Sequence, residues 1–257
     1  MLLFLIKKTF FDLWDNLLRI FLINLGFFIL LLITFGIFYL SSLLKLYIYI
    51  PFVIAISLIS IYIGGASLFV MQISDYKKPE FLDFFTYIRT SFKTSLFFAL
   101  IIIVYSIIIY VAFNYYFSQK NIVALLAGSL LFWLTIIVIL SIQFFFPIYS
   151  RFENNPIKVI RKCLLIFFDN LGFSLFIFAG IIFLLILSGF VAGFLPGLST
   201  ILLWLNGGFK LRLYKYDYQE EHPDANMKKI PWKSLIAHDV EMIGHRSLKG
   251  MIFPWKD

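Results

Sequence analysis

Residues 170–209 read NLGFSLFIFAGIIFLLILSGFVAGFLPGLSTILLWLNGGF, 40 positions without a single Asp, Glu, Lys, Arg or His. As one helix the stretch would be about 60 Å long, twice a hydrocarbon core of about 30 Å. It must turn back, and Ser188-Gly189 through Leu195-Pro196-Gly197 supplies the turn chemistry. Four further stretches lack the same five residue types: 20–44, 46–74, 94–119 and 121–150. The pattern predicts an all-α membrane protein with six transmembrane helices, at about 20–43, 47–71, 95–117, 122–146, 171–189 and 193–211. A re-entrant segment in place of the last pair is the alternative, and it leaves both termini on the same sides.

Composition agrees with a chain in lipid. Hydrophobic residues make up 61% and charged residues 14% of 257 positions, against about 25% charged in soluble domains. All Lys and Arg except Lys45 and Lys120 fall on the segments that the six spans place on one side. The positive-inside rule assigns that side, with both termini, to the cytoplasm. The net charge of +8 follows from this bias and from attraction to anionic lipid, so nucleic-acid binding is not implied. The chain divides into a transmembrane domain, 1–212, and a cytoplasmic tail, 213–257.

The segment before the first span is amphipathic. Phe4, Phe11, Trp14 and Leu18 share one broad face, with Lys7, Lys8, Asp12 and Asp15 opposite. This predicts a short interfacial helix, with no cleavage site of the signal-peptide kind before the first span. Trp14-Asp15-Asn16-Leu17 opens the first span and Phe168-Asp169-Asn170-Leu171 opens the fifth. Halfway between lies Phe84-Phe85-Thr86-Tyr87-Ile88-Arg89, another aromatic and basic lead-in. Three helical hairpins built from one repeat would produce this; so would convergent composition at cytoplasmic helix entries.

Polar residues inside the spans are uncharged, which argues against a proton-driven carrier. A transporter or channel would need a path lined by Asn24, Tyr62, Asn114, Gln143 and Asn206. Gly64-Gly65 and the spacing Gly189, Gly193, Gly197 predict close helix packing. Cys163 is the single cysteine, so no disulfide forms within the chain. Beside Arg161 and Lys162 its thiolate would be favoured, against the plainer reading of a small helix residue.

The tail carries Pro231-Trp232-Lys233 and Pro254-Trp255-Lys256. Trp232, Lys233, Trp255 and Lys256, like Trp14, are the expected anchors to the lipid bilayer or to a membrane protein partner. Between them Ser234 can N-cap a short helix with Leu235, Ile236, Val240 and Ile243 on its apolar face, ended by Gly244. His238, Glu241 and His245 have a spacing that would face one side if that helix continued, but they match no metal motif, so neither metal nor cofactor is expected. Nor does any nucleophile–base pattern point to an enzyme.

Three motifs resemble bacterial YesL-type membrane proteins: Trp14-Asp15-Asn16-Leu17-Leu18-Arg19 with Asn24-Leu25; Gly64-Gly65-Ala66-Ser67-Leu68-Phe69-Val70 with Phe81–Lys93; and Phe146-Pro147-Ile148-Tyr149-Ser150-Arg151-Phe152. The resemblance spans about residues 10–212; Gly64-Gly65 replaces a Pro-containing version, and the long tail is outside the family's pattern. It implies a six-span inner-membrane protein associated with sugar ABC uptake systems, with no active-site residues to transfer. The expected role is an accessory or scaffold subunit in contact with an ABC transporter subunit or another membrane protein.

Overall fold

The computed structural model describes residues 1–246 apart from Leu46, Lys120, Glu153, Asn154, Ala192, 224–229 and His245. The described residues are helical, without strands: α1 (Leu2–Asp15), α2 (Leu17–Leu43), α3 (Tyr49–Ser74), α4 (Asp83–Ser118), α5 (Ile122–Ile142), α6 (Phe145–Arg151), α7 (Pro156–Asp169), α8 (Leu171–Phe190), α9 (Leu198–Glu221), α10 (Trp232–Leu235) and α11 (Ala237–Ile243). Local chemistry sets several boundaries. The Asn121 side chain accepts from the Ala124 N–H at 2.7 Å and opens α5. Asn155 does the same for α7, followed by Pro156 at the first helical position, where its missing N–H costs nothing. Pro147 has no N–H to return to the carbonyl of Gln143, and there α5 and α6 part.

Five helical segments are long and apolar enough to cross a membrane: Leu17–Leu43, Tyr49–Ser74, Asp83–Ser118, Ile122–Arg151 and Leu171–Phe190. This is the architecture of a multi-pass membrane protein. The region expected to form a sixth span differs in kind. After α8 the chain turns through Gly193, whose φ of +79° favours a residue without Cβ, and α9 begins at Leu198. The charge-free part of α9 ends at Phe209, so it rises only about 18 Å, short of a bilayer core. Beyond it the helix continues through Lys210, Arg212 and Lys215 to Glu221.

α9 is nevertheless the axis of the bundle. Every residue from Ser199 to Phe209 is buried, and α9 packs on α1, α2, α3, α6 and α8. Leu5 of α1 and Ile177 of α8 close on the bare backbone at Gly207 and Gly208. The tightest helix pair is α3 with α4, consecutive helices joined by the short connection 75–82. A Cβ on Gly64 would strike the Ser95 hydroxyl, and one on Gly65 would lie 3.1 Å from the Ile88 backbone. Small residues here let two helix backbones approach where lipid offers no hydrophobic drive for association.

Candidate functional site

Charged side chains from five elements meet at one end of the bundle. α1 contributes Lys8 and Asp12, one helical turn apart and 2.7 Å between Nζ and Oδ2. The C-terminal end of α3 contributes Asp75, which Arg151 of α6 grips through both terminal nitrogens at 2.9 and 3.1 Å. Lys210 of α9 reaches Asp75 at 3.4 Å and Asp239 of α11 at 3.0 Å. Asp239 also accepts from the Tyr214 hydroxyl at 2.9 Å, and its main-chain carbonyl accepts from the Tyr76 hydroxyl at 3.3 Å. The Lys8 ammonium sits 4.0 Å from the Tyr76 ring centroid, a cation–π contact that helps hold a buried charge.

Lys8 and Asp239 are each only 1% exposed, so electrostatics here act in a poorly screened setting. Burial pulls the Lys8 ammonium below its ordinary value, against the attraction of Asp12. Burial pushes the Asp12 carboxyl up to about 6, with Lys8 opposing. For Asp239 burial works upward, yet Lys210, Lys8 and the Tyr76 hydroxyl outweigh it and hold the carboxyl below its ordinary value. Burial, then the Asp239 charge, raises the Tyr76 and Tyr214 hydroxyls. The network ties α1, α3, α6, α9 and α11 together, and Asp12 is its member that titrates nearest neutrality.

A second cluster lies where α7 meets α8. Asp169 takes hydrogen bonds from Lys215 Nζ at 2.7 Å and the Tyr216 hydroxyl at 2.8 Å. These bonds hold its carboxyl below the ordinary value although burial pushes upward. Arg212 donates to Asn170 Oδ1 at 3.0 Å and sits over the Phe173 ring, 3.7 Å from its centroid. Asn16 forms the same corner between α1 and α2 that Asn170 forms between α7 and α8, with φ of −120° and −137°. Each asparagine amide caps back to a carbonyl four residues earlier, Asp12 at 3.0 Å and Ile166 at 3.3 Å. The two Asp-Asn motifs thus have one local geometry.

The expected anchors are dispersed. Trp14 is half exposed and stacks on Phe10. Trp232 is half-buried, 5.7 Å from the Arg212 guanidinium, while Lys233 is exposed. Trp255 and Lys256 lie outside the described residues. Ser234 does not cap the tail helix; it lies inside α10 and donates to the Pro231 carbonyl. Ile236 and Ile243 are buried, Val240 is exposed, and Gly244 ends α11 at φ +73°. His238 and Glu241 are exposed on α11, and His245 is outside the described residues.

The glycine spacing at 189, 193 and 197 does not form a helical stripe. Gly189 belongs to α8 and Gly193 to the turn, each with open space where a Cβ would stand, while Gly197 precedes α9 against Asn24. Cys163 is buried, and desolvation pushes its thiol up, which overrides the adjacent cations.

Several polar residues of the spans form hydrogen bonds between helices. Asn24 clamps the turn before α9, donating to the Phe194 carbonyl and accepting from the Ser199 N–H, both at 2.8 Å. The Tyr62 hydroxyl donates to the Ile23 carbonyl at 2.5 Å, and Gln143 to the Ser174 carbonyl at 3.1 Å. Asn206 donates to the Ser67 hydroxyl at 3.3 Å and accepts from Ser150 at 3.2 Å, joining α9 to α3 and α6. Asn114 bonds its own helix on the exposed outer half of α4. Comparison with protein-family models, curated proteins and solved structures gives no match.

Proposed function

We propose that this chain is a non-enzymatic accessory or scaffold subunit of a bacterial inner-membrane complex, of the YesL type and working beside a sugar ABC uptake system. One observation carries the reading. Mid-span polar groups are engaged in hydrogen bonds from helix to helix, whereas the charged groups of five elements meet at one end, with α11 docked into them. The membrane body is then a braced frame, and its chemistry is concentrated where a partner can read it.

In this reading the sixth pass is the 191–197 turn with the first half of α9, and the charged end and both termini face the cytoplasm. The cations of the network, Lys8, Arg151 and Lys210, fall on the side that the positive-inside rule favours. Trp232, Lys233 and α11 form the contact with the partner.

The test is purification of the tagged chain from its native membranes in mild detergent, complete or ending at Glu221. Truncation at 213 is unsuitable, because Tyr214, Lys215 and Tyr216 hold Asp239 and Asp169. A membrane protein present in fixed stoichiometry and lost with 222–257 is the expected result. A homo-oligomer alone in both preparations overturns it.

A further inference from the structure

Three cations and three carboxylates of the charged end are interlocked. Lys8 bonds Asp12 at 2.7 Å, Arg151 bonds Asp75 at 2.9 Å, and Lys210 reaches Asp75 at 3.4 Å and Asp239 at 3.0 Å. Both lysine ammonium groups lie against one ring, 4.0 and 5.0 Å from the centroid of Tyr76. The Lys8–Asp12 and Lys210–Asp239 pairs are therefore neighbours, and each carboxylate also feels the other's lysine. Of these three carboxylates, Asp239 alone belongs to the tail.

Asp12 differs from Asp75 and Asp239 in what stands before it. A cavity of about 250 Å³ lies against Asp12, walled by Lys77 and Lys78 after α3 and by Met242, Ile243 and Arg246 of the tail. Asp15, also on the wall, holds Arg246 at 2.8 and 2.9 Å. Arg19 of α2 is engaged with Asn16 and the Pro79 carbonyl, and Tyr214 of α9 with Asp239. Of the other ionisable groups on α11, Glu241 is exposed, and the exposed His238 has its ring 6.4 Å from that of Tyr76. With the tail docked, Asp12 is 7% exposed. Withdrawing the tail removes one wall of the cavity and opens the carboxyl to water.

The tail thus acts on Asp12 twice, by closing it off and by bringing the like charge of Asp239. Both effects favour the neutral carboxyl, which titrates at about 6 against the opposing pull of Lys8 and Lys210. Coupling of this kind is reciprocal: what docking does to the proton affinity of Asp12, a proton on Asp12 does to docking. Neutralising Asp12 leaves three cations facing two carboxylates. Lys8, still on the Tyr76 ring, then turns its attraction to Asp239 and so to the tail.

We propose that the tail is a proton-coupled latch, in which a proton taken up at Asp12 tightens the docking of α11 and its release loosens it. The docked state binds the proton more tightly, so the latch is firm in mild acid and weakens as pH rises through about 6. The latch needs no partner protein, so the purified chain alone reports on it.

Hydrogen exchange of residues 232–243 in the detergent-solubilised full chain, corrected for the intrinsic effect of pH on amide exchange, measures docking. Protection in the wild type is about 5-fold higher at pH 5 than at pH 7.5, as linkage to one carboxyl allows. Asp12→Asn keeps the high protection at both pH values, and His238→Gln keeps the wild-type difference. Infrared titration of the carboxyl band that Asp12→Asn removes gives the reciprocal effect. In the chain ending at Glu221 its midpoint falls by about one pH unit, about a 10-fold loss of proton affinity. The latch is overturned by equal protection at both pH values in the wild type, or by an infrared midpoint that truncation does not move. A difference that survives in Asp12→Asn, or disappears in His238→Gln, overturns it as well. Should Asp12→Asn fail to fold, Lys8→Met with Asp12→Leu replaces the pair by apolar groups and must abolish the pH difference.

Discussion

Lys210 of α9 and Asp239 of α11 form a buried ion pair at 3.0 Å, and this contact joins the tail to the membrane body. The Lys210 side chain is 12% exposed and the Asp239 side chain 1%. Removing one partner of such a pair leaves the other charge poorly solvated, at about 3 kcal/mol or more. Asp239→Asn therefore loosens the tail and lowers the thermal midpoint of the detergent-solubilised protein. Lys210→Gln in the same chain restores part of the loss. A double-mutant cycle measures the coupling, and additivity of the two changes would mean that the pair does not hold the tail.

Stability changes with pH through Asp12. Its carboxyl titrates near 6 in the folded protein, above its ordinary value of 3.8. The folded state therefore binds more protons than the unfolded state between these values. By linkage, Asp12 makes stability fall as pH rises through that window, by at most about 1.4 kcal/mol per pH unit. Thermal midpoints between pH 4 and 7 show this slope in the wild type, reduced in Asp12→Asn. Asp239 acts in the opposite sense, because its carboxyl is held low. Its contribution is complete above the ordinary carboxylate range and is lost only at more acid pH.

Two glycines that look alike in sequence respond oppositely. Gly65→Val drives a branched side chain into the Ile88 backbone, already 3.1 Å from a Cβ. Overpacking of this kind costs about 1–3 kcal/mol. At Gly189 a Cβ meets nothing within 4 Å, so Gly189→Ala leaves stability unchanged or raises it by up to about 1 kcal/mol through helix propensity. Denaturation in mixed micelles ranks the two. Equal destabilisation would place Gly189 at a packed interface.

Cys163 is a silent background for topology mapping. Buried and with its thiol pushed up, it resists maleimide in the folded protein and reacts after denaturation. On that background the proposed orientation predicts that Ser118→Cys reacts with an impermeant maleimide added outside intact cells. Lys77→Cys reacts only after the membrane is opened. The reverse pattern inverts the topology.

The membrane-crossing segments were legible because a charge-free run is a one-dimensional signal whose length is the whole message. α9 was not, since its course depends on partners far away in sequence. Charges at Lys210 and Arg212 continue a buried helix because Asp75, Asp239 and Asn170 receive them. The charged network draws on five elements, and the Asp15–Arg246 pair nearby spans 231 positions, so no local spacing announces it. The Asp-Asn repeat was visible because its cause is local, a capped corner between two helices. The glycine spacing at 189, 193 and 197 misled for the converse reason. A period of four describes a face only when the residues share a helix, and Gly193 leaves it.

The account stands on a partner held by the tail, and the mass of the intact particle tests that claim most directly. Mass photometry of the complex extracted from native membranes compares the full chain with one ending at Glu221. The account predicts a full-length particle whose mass is not a simple multiple of the 30.1 kDa chain and falls on truncation by far more than the missing tail. A particle at a simple multiple of the chain mass, which loses only the tail on truncation, would contradict it.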